Sequence, residues 1–245
     1  MAQDFTLRIL SYNIYHGENP NNLGESNLDS IAKLILDLDP DVVALQEVDS
    51  MTERTAGIYG QKINLIAELA KKTGMEGYFA KAMDFSEGGY GEGLLVKSPE
   101  NFLKQTLPIP AGGEPRAAAW TSLKLGNQII WVGGTHLCHQ FQNNRLAQVQ
   151  SVLDFTENKN SPVIWMGDLN FKPSDLEYRA IDPSWQDAAK VMEDESPTYQ
   201  SSSEEGRIDY IWYSKNHFEL IQYQVIPVFH SDHFPVFVEL KLITP

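Results

Sequence analysis

A carboxylate and a carboxamide, Asp168 and Asn170, follow a short apolar run that begins at residue 162. Side chains alternate between the two faces of a strand, so these two are expected to point the same way. A buried carboxylate is costly without hydrogen-bond partners or a cation beside it. Because Asp and Asn are also common where strands end in turns, the pair by itself predicts either turn caps or a chemical site.

Acid, amide or imidazole side chains also follow other apolar, strand-like runs. They are Asn13, Glu47, His136, Asp209 and the adjacent pair Asp232 and His233. In α/β sheets, ligand sites form outside the carboxyl ends of the strands. One such strand end is an ordinary turn, but the repetition favours a single pocket whose rim carries all of these groups.

The oxygen-bearing members of this set suit a hard divalent cation. Glu47, assisted by Asn13 or Asp232, offers the carboxylate and carbonyl oxygens that Mg²⁺, Mn²⁺ or Ca²⁺ prefer. Because the Asn13 carbonyl is neutral, the site need not be assembled from like charges alone.

The imidazoles suit proton transfer or phosphate contact. The side chains of the neighbours Asp232 and His233 diverge, so another acid must orient His233, and Asp209 is the candidate. An Asp–His pair fixes the imidazole tautomer and raises its basicity, as a general base or a phosphate-contacting imidazolium requires. His136 supplies a second imidazole, and Arg116 a planar set of donors for phosphate oxygens.

Apolar periodicity predicts the elements that would position these groups. Strands are expected at residues 7–12, 41–47, 78–83, 92–97, 102–107, 117–125, 128–137, 162–168, 208–213, 218–226 and 234–243, and helices at 27–38, 61–73 and 142–156. The glycine-rich stretch 88–93 is expected to be a mobile turn near the site. Residues 171–207 are expected to form loops with short helical turns, including a disorder-prone polar patch at 201–206.

The order of these elements predicts one domain over residues 1–245. Strand–helix–strand patterns at both ends, with hairpins between them and no long linker, indicate an α/β domain with mixed sheets. Too few helices accompany the late strands to cross over between parallel neighbours, so these strands are expected to pair antiparallel.

Composition restricts the function classes. The 42% apolar content supports a sizeable core, and no run of apolar residues is long enough for a membrane span. A net charge of −14 counts against non-specific nucleic-acid binding. Cys138, the single cysteine, is expected to be a small buried apolar residue. The first residues lack the features of a signal peptide, which leaves open a cytoplasmic location, or a periplasmic or secreted one if a signal peptide was removed.

Six short blocks carry a family resemblance. They are Ser11-Tyr12-Asn13, Leu45-Gln46-Glu47, Thr135-His136-Leu137, Gly167-Asp168-Leu169-Asn170, Arg207-Ile208-Asp209-Tyr210 and Ser231-Asp232-His233-Phe234-Pro235. In this order they resemble the signature blocks of the endonuclease/exonuclease/phosphatase superfamily, which has the deoxyribonuclease I-like fold. The resemblance implies a four-layer α/β sandwich, in which two mixed, mostly antiparallel sheets pack face to face with helices on the outside. It also implies Mg²⁺-assisted hydrolysis of a phosphoester.

The resemblance assigns the metal side of the site. It makes Glu47 the principal metal ligand, with Asn13 beside it and Asp232 nearby. Mg²⁺ is the expected ion, with Mn²⁺ or Ca²⁺ as alternatives. Arg116 lies in a Glu-Pro-Arg block similar to one in bacterial members and would lie near the phosphate.

The resemblance also assigns the proton-transfer side. Asp168 matches the carboxylate that orients or activates the attacking water, or protonates the leaving group. Asn170 matches an amide that contacts phosphate, and His233 with Asp209 matches the family's His–Asp dyad. His136 matches a histidine of deoxyribonuclease-like and sphingomyelinase-like members. Which of these groups is the general base stays open.

Departures of this sequence from the patterns of individual family members restrict the choice of substrate. Residues 206–210 lack the Cys-Asp-Arg block of inositol phosphatases, which counts against an inositol phosphate substrate. The sequence also lacks a Lys/Arg cluster that could grip duplex DNA, so duplex DNA is disfavoured. Residues 167–176 are similar to those of sphingomyelinase-type members. We therefore expect a monomeric phosphodiesterase acting on a small or lipid-headgroup substrate. The alternatives are a nuclease for single-stranded or damaged nucleic acid, and a catalytically silent binding domain.

Other histidines receive no role. His16 and His230 are expected to be loop or core histidines. The group His136, Cys138 and His139 lacks a second cluster that would complete a zinc site.

Overall fold

The computed structural model describes residues 5–159, 161–200 and 205–243. In chain order the strands are β1 (Thr6–Asn13), β2 (Val42–Ser50), β3 (Glu76–Phe85), β4 (Gly88–Val96), β5 (Asn101–Leu107), β6 (Arg116–Leu125), β7 (Gln128–His136), β8 (Val163–Asp168), β9 (Trp185–Asp187), β10 (Tyr199–Gln200), β11 (Glu205–Gly206), β12 (Asp209–Ser214), β13 (Phe218–Val225) and β14 (Val236–Leu242). The helices are α1 (Leu28–Leu38), α2 (Glu53–Tyr59), α3 (Leu65–Thr73), α4 (Gln142–Glu157), α5 (Leu176–Ala180) and α6 (Ala188–Val191).

Two six-stranded sheets organise the fold. The first has the order β13-β14-β1-β2-β4-β3 and the second β5-β6-β7-β8-β12-β9. Each sheet contains one parallel pair, β1–β2 in the first and β7–β8 in the second, and its other pairs are antiparallel. The prediction of mixed, mostly antiparallel sheets is therefore confirmed.

Alternation along the strands explains the four layers. Ile9 and Ala44 pack between the two sheets, whereas their neighbours Leu10 and Leu45 pack on the outer face of the first sheet. That outer cluster includes residues of α1 and α3. On the second sheet, Trp165 packs in an outer cluster that includes residues of α4. The sandwich implied by the family resemblance is thus confirmed.

The parallel pairs place four polar residues at one edge of the sandwich. Strand β1 ends at Asn13, beside the segment of β2 that carries Glu47. His136 and Asp168 are register partners at the ends of β7 and β8. A hydrogen bond of 3.1 Å from Asn13 Nδ2 to Asp168 Oδ2 joins the two sheets there.

The prediction of a mobile turn at 88–93 is wrong, because these residues form the first part of β4. A Cβ at Gly91 would lie 2.3 Å from the Ala80 carbonyl oxygen. The glycines therefore serve a close approach of β3 and β4, and the reversal occurs at Ser86 and Glu87, which have φ angles of 46° and 60°.

Two helices differ from the predicted pattern. Helix α2 was not predicted, since seven residues with a central glycine give no clear period, although Thr52 caps it by accepting from Thr55 N. Helix α3 begins at Leu65 rather than residue 61, because Asn64 caps it by accepting from Ala67 N. In the predicted polar patch, residues 201–204 lie outside the described residues, and the last two form β11.

None of the helices among the described residues is long and apolar enough to cross a membrane. Cys138 is buried and unpaired, as predicted.

Candidate active site

The polar strand ends converge on one cavity of about 570 Å³. Predicted site residues that line it are Glu47, Arg116, His136, Asp168, Asn170, Asp232 and His233. Asn13 and Asp209 are fully buried behind this lining, where they hydrogen-bond to it. The structure therefore brings every predicted site residue to the cavity or to the layer directly behind it.

A β-bulge presents Glu47 to the cavity. The register of β2 with β4 shifts between Leu45 and Val48, and Glu47 adopts a φ of 58°. Its side chain is 24% exposed. Burial raises the pKa of Glu47, but the nearby His16 imidazole and the charge of His233 outweigh this and lower the pKa to about 2. Glu47 is therefore an ionised carboxylate available to a cation.

Asn13 connects Glu47 to Asp168 as a hydrogen-bond donor. Its Nδ2 donates to Glu47 Oε1 at 3.3 Å and to Asp168 Oδ2 at 3.1 Å. Its Oδ1 accepts from the Tyr15 backbone N–H at 3.2 Å. Because this oxygen already has a donor, Asn13 here orients two carboxylates, and its assignment as a metal ligand stays a prediction.

The glycine before Asp168 allows the strand ends to meet closely. Gly167 has a φ of 141°, and a Cβ there would lie 1.8 Å from the Thr135 carbonyl oxygen. After it, Asp168 Oδ1 accepts from the Asn170 N–H at 3.0 Å. The backbone of Asn170 is in the left-handed region, with a φ of 53°, and its Nδ2 donates to the Leu137 carbonyl at 3.1 Å. Both polar side chains are thus held by local backbone contacts.

Arg116 fixes the tautomer of His136. The buried guanidinium lies 3.4 Å from His136 Nδ1 and also contacts Glu114 at 2.8 Å. An arginine only donates, so His136 Nδ1 accepts and its proton is on Nε2. That Nε2 lies 3.3 Å from Asp168 Oδ2. Burial and the charge of Arg116 hold the pKa of His136 well below its usual value, so this imidazole is neutral.

His233 and Asp209 form the predicted dyad. His233 Nδ1 lies 2.8 Å from Asp209 Oδ2, and its Nε2 lies 3.6 Å from Asp168 Oδ2. Burial lowers the pKa of His233, but the two carboxylates outweigh it and raise the pKa to about 10. The neighbouring Asp232 also lines the cavity, and its Oδ1 accepts from the Ser231 hydroxyl at 3.2 Å. His233 is therefore an imidazolium at neutral pH.

The pKa of Asp168 lies near neutral pH. Burial raises the pKa of Asp168, and the negative charge of Asp209 raises it further. The positive charge of His233 lowers it, and the resulting pKa is about 7. A carboxyl group with such a pKa can exchange a proton near physiological pH.

The cavity has donors suited to a divalent cation. Glu47 and Asp232 contribute carboxylates to its wall, and oxygen donors are what Mg²⁺, Mn²⁺ and Ca²⁺ prefer. Asp168, Asp209 and His233 also place ligand atoms within 4.8 Å of one another. Since His233 Nδ1 is already bonded to Asp209, the Glu47 side fits an added cation better.

Sequence reasoning missed several residues that complete the site. The Tyr199 ring lies 4.8 Å from the His233 ring and lines the cavity. Thr198 Oγ1 accepts from the Asp209 N–H at 2.9 Å and so holds the dyad. His16, expected to be a loop or core histidine, is buried beside Glu47. The left-handed turn that carries His16 follows no sequence period, and only the position of His16 three residues after Asn13 could have drawn attention to it.

A model of the Endonuclease/Exonuclease/phosphatase family matches residues 10–233. No curated protein matches the sequence significantly.

Solved structures share the fold at low sequence identity. An endonuclease/exonuclease/phosphatase from Beutenbergia cavernae has a TM-score of 0.77 and 20% identity, covering 97% of this chain and 72% of that chain. The human Nocturnin catalytic domain with bound sulfate has a TM-score of 0.75 and 19% identity, with coverage of 98% and 97%. A mannosyl-6-phosphatase from Bacteroides thetaiotaomicron has a TM-score of 0.74 and 18% identity, with coverage of 97% and 100%.

Proposed function

We propose, from the premise that this chain belongs to the endonuclease/exonuclease/phosphatase family, that it is a divalent-metal-dependent phosphoesterase. Its substrate would be a small phosphodiester or a lipid headgroup. The observation that carries the proposal is the meeting of the His233–Asp209 dyad with Asp168, 3.6 Å from the imidazole, in the cavity that also presents Glu47. Because this set retains an acid, a base and a cation site, a catalytically silent domain is disfavoured.

The chain supplies charge stabilisation from two sides. The His233 imidazolium and the Arg116 guanidinium both line the cavity and can neutralise charge that develops on phosphoryl oxygens. Asn170 lines it as well and offers an amide to the same oxygens. A cation held by Glu47 and Asp232 would add Lewis-acid stabilisation.

Asp168 is the group proposed to move the proton. Its Oδ2 accepts from Asn13 Nδ2 at 3.1 Å, and Nε2 of neutral His136 lies 3.3 Å from the same oxygen. These contacts hold the carboxylate in a fixed direction, so that it can take a proton from the attacking water or pass one to the leaving group.

The cavity favours a small, hydrophilic substrate. At about 570 Å³ it has the size of small-molecule pockets. Tyr90, Tyr199 and Arg145 contribute to its wall and bound the space around the phosphate. The mannosyl-6-phosphatase with the same fold supports adding sugar phosphates, and hence monoesters, as a second candidate substrate class.

The proposal is tested with two chromogenic esters. We expect bis-p-nitrophenyl phosphate to be hydrolysed faster than p-nitrophenyl phosphate, with both rates requiring Mg²⁺ or Mn²⁺. Equal hydrolysis in EDTA would remove the metal from the proposal, and no hydrolysis of either ester would leave a binding domain. A panel of sphingomyelin, sugar phosphates, single-stranded nucleic acid and duplex DNA then identifies the substrate class, with duplex DNA expected to be poor.

A further inference from the structure

His16 stands between two carboxylates at the metal side of the cavity. Its Nε2 lies 2.9 Å from Glu18 Oε2, and its Nδ1 lies 3.9 Å from Glu47 Oε2. The residue is 5% exposed, and Nδ1 has no hydrogen-bond partner among the described residues. A buried, unpartnered ring nitrogen is thus directed at the carboxylate proposed to hold the cation.

The backbone that carries His16 is held in a conformation that ordinary residues avoid. Tyr15 and His16 have φ angles of 46° and 44°, in the left-handed region. Gly17 follows them, and its carbonyl accepts from the Asn27 N–H at 2.8 Å and from the Tyr59 hydroxyl at 2.9 Å. Strain of this kind persists where the surroundings enforce it and concentrates at functional sites. The turn therefore fixes the place of the imidazole.

The partners of His16 are themselves fixed. Glu18 Oε1 accepts from the Gly24 N–H at 2.6 Å, which leaves Oε2 for the imidazole. Glu47 Oε1 accepts from Asn13 Nδ2 at 3.3 Å, and its Oε2 faces His16. Each oxygen of Glu47 thus has one neighbour that restricts it, Asn13 on one side and His16 on the other.

We propose that His16 is a positioning residue that orients Glu47 for a divalent cation, and that Glu18 orients the imidazole in turn. The inference rests on the proposed function only in taking Glu47 as a metal ligand. Groups that orient a metal ligand without touching the metal change its affinity by about 10–100-fold when they are removed.

The test measures Mn²⁺ binding to the full chain. Binding is monitored through the decrease of the EPR signal of free Mn²⁺. His16→Asn is the informative variant, because Asn tolerates the left-handed backbone yet is too short to reach both Glu18 and Glu47. We expect its Kd for Mn²⁺ to rise at least about tenfold, with an unchanged melting temperature in the absence of metal. His217→Ala, at an exposed histidine outside the cavity, is the control and should bind as the parent does. An unchanged Kd for His16→Asn overturns the proposal.

A second variant covers the case in which His16→Asn fails to fold. Glu18→Gln keeps the size of the side chain and removes the charge that faces His16 Nε2, so Kd should rise by a smaller factor. An unchanged Kd here also overturns the proposal. A pulsed EPR signal of a directly coordinated nitrogen that His16→Asn removes would make His16 a ligand, which contradicts a positioning role.

Failure of this inference is distinguishable from failure of the proposed function. Metal-dependent hydrolysis with a Kd independent of His16 refutes the positioning role alone. Mn²⁺ binding that depends on His16, in a chain that hydrolyses no phosphoester, refutes the proposed activity alone.

Discussion

Asp168 and Asp209 are register partners across the antiparallel strands β8 and β12, and the two nitrogens of His233 face their carboxylates. Nδ1 is hydrogen-bonded to Asp209 at 2.8 Å, whereas Nε2 stays 3.6 Å from Asp168. Burial raises the pKa of Asp168 to about 7, whereas burial of His233 is outweighed by the facing carboxylates, which raise its pKa to about 10. One group is thus a permanent cation at neutral pH, and the other can gain or lose a proton.

Replacing the imidazolium should abolish most of the activity. We expect His233→Ala to lower kcat on bis-p-nitrophenyl phosphate by at least about a hundredfold, because it removes the cation proposed to stabilise the phosphoryl oxygens. His217→Ala serves as the matched histidine control. A rate for His233→Ala within about twofold of the parent would exclude His233 from the mechanism.

The dependence of the rate on pH should show both ionisations. Asn13 Nδ2 donates to Asp168 Oδ2, and the Nε2 atoms of His136 and His233 lie 3.3 and 3.6 Å from it, an arrangement that suits an ionised carboxylate. We therefore expect kcat/KM to rise with pH through about 7 as Asp168 loses its proton, and to fall as His233 is deprotonated near 10.

Asp168→Asn tests the assignment of the lower limb of this profile. The variant should lose about 10²–10⁴-fold in kcat/KM, and its residual activity should lack the ionisation near neutrality. A residual profile that kept this ionisation would assign it to another group.

Stability should respond to pH through the dyad. The pKa of His233 is raised in the folded state, so its stabilising contribution is complete below its ordinary value of 6.5 and is lost as the pH rises towards about 10. Asp209→Asn removes the partner and should lower the free energy of unfolding by about 3–5 kcal/mol at neutral pH. Urea unfolding of the two proteins from pH 6 to 10.5 should show the difference shrinking at alkaline pH, and a constant difference would contradict the linkage.

The sequence was sufficient to predict the strand ends of the site, because their positions follow from local alternation. Asp168 and His136 end apolar runs, and parallel pairing of those runs makes them neighbours. Because Asp232 and His233 are neighbours in sequence, their side chains were not expected to pair, and His233 needed a partner from elsewhere in the chain. That partner is Asp209.

Features set by tertiary contacts could not be predicted in this way. His16 reaches Glu47 only because a left-handed turn folds the loop back. The bulge that exposes Glu47 shifts the register between β2 and β4, whereas the alternation of apolar residues along β2 predicts an unbroken strand pair. Gly91 was interpreted as a turn residue because its close contact with β3 is visible only after the strands are paired.

The dependence of the hydrolysis rate on a divalent cation should be set by Glu47. We expect EDTA to abolish hydrolysis, and Mg²⁺ or Mn²⁺ to restore it. Glu47→Gln, which keeps the shape but not the charge, should need at least about tenfold more Mn²⁺ for half-maximal rate, since a hard cation loses its carboxylate. Glu53→Gln is the control, because Glu53 is an exposed carboxylate on α2. If the two variants had the same Mn²⁺ dependence, Glu47 would not be the ligand.

The close approach at Gly167 should make this position intolerant of any side chain. A Cβ there would lie 1.8 Å from the Thr135 carbonyl oxygen, and its φ of 141° is strained for other residues. We expect Gly167→Ala to destabilise the protein by about 3 kcal/mol or more, or to prevent folding, because β7 and β8 would have to separate. Gly57→Ala is the matched control, since nothing lies within 4 Å of a Cβ there. In helix α2 it should stabilise by about 0.5–1 kcal/mol. Thermal unfolding of both variants measures the contrast, and equal melting temperatures would show that the strand ends are not held as tightly as their geometry indicates.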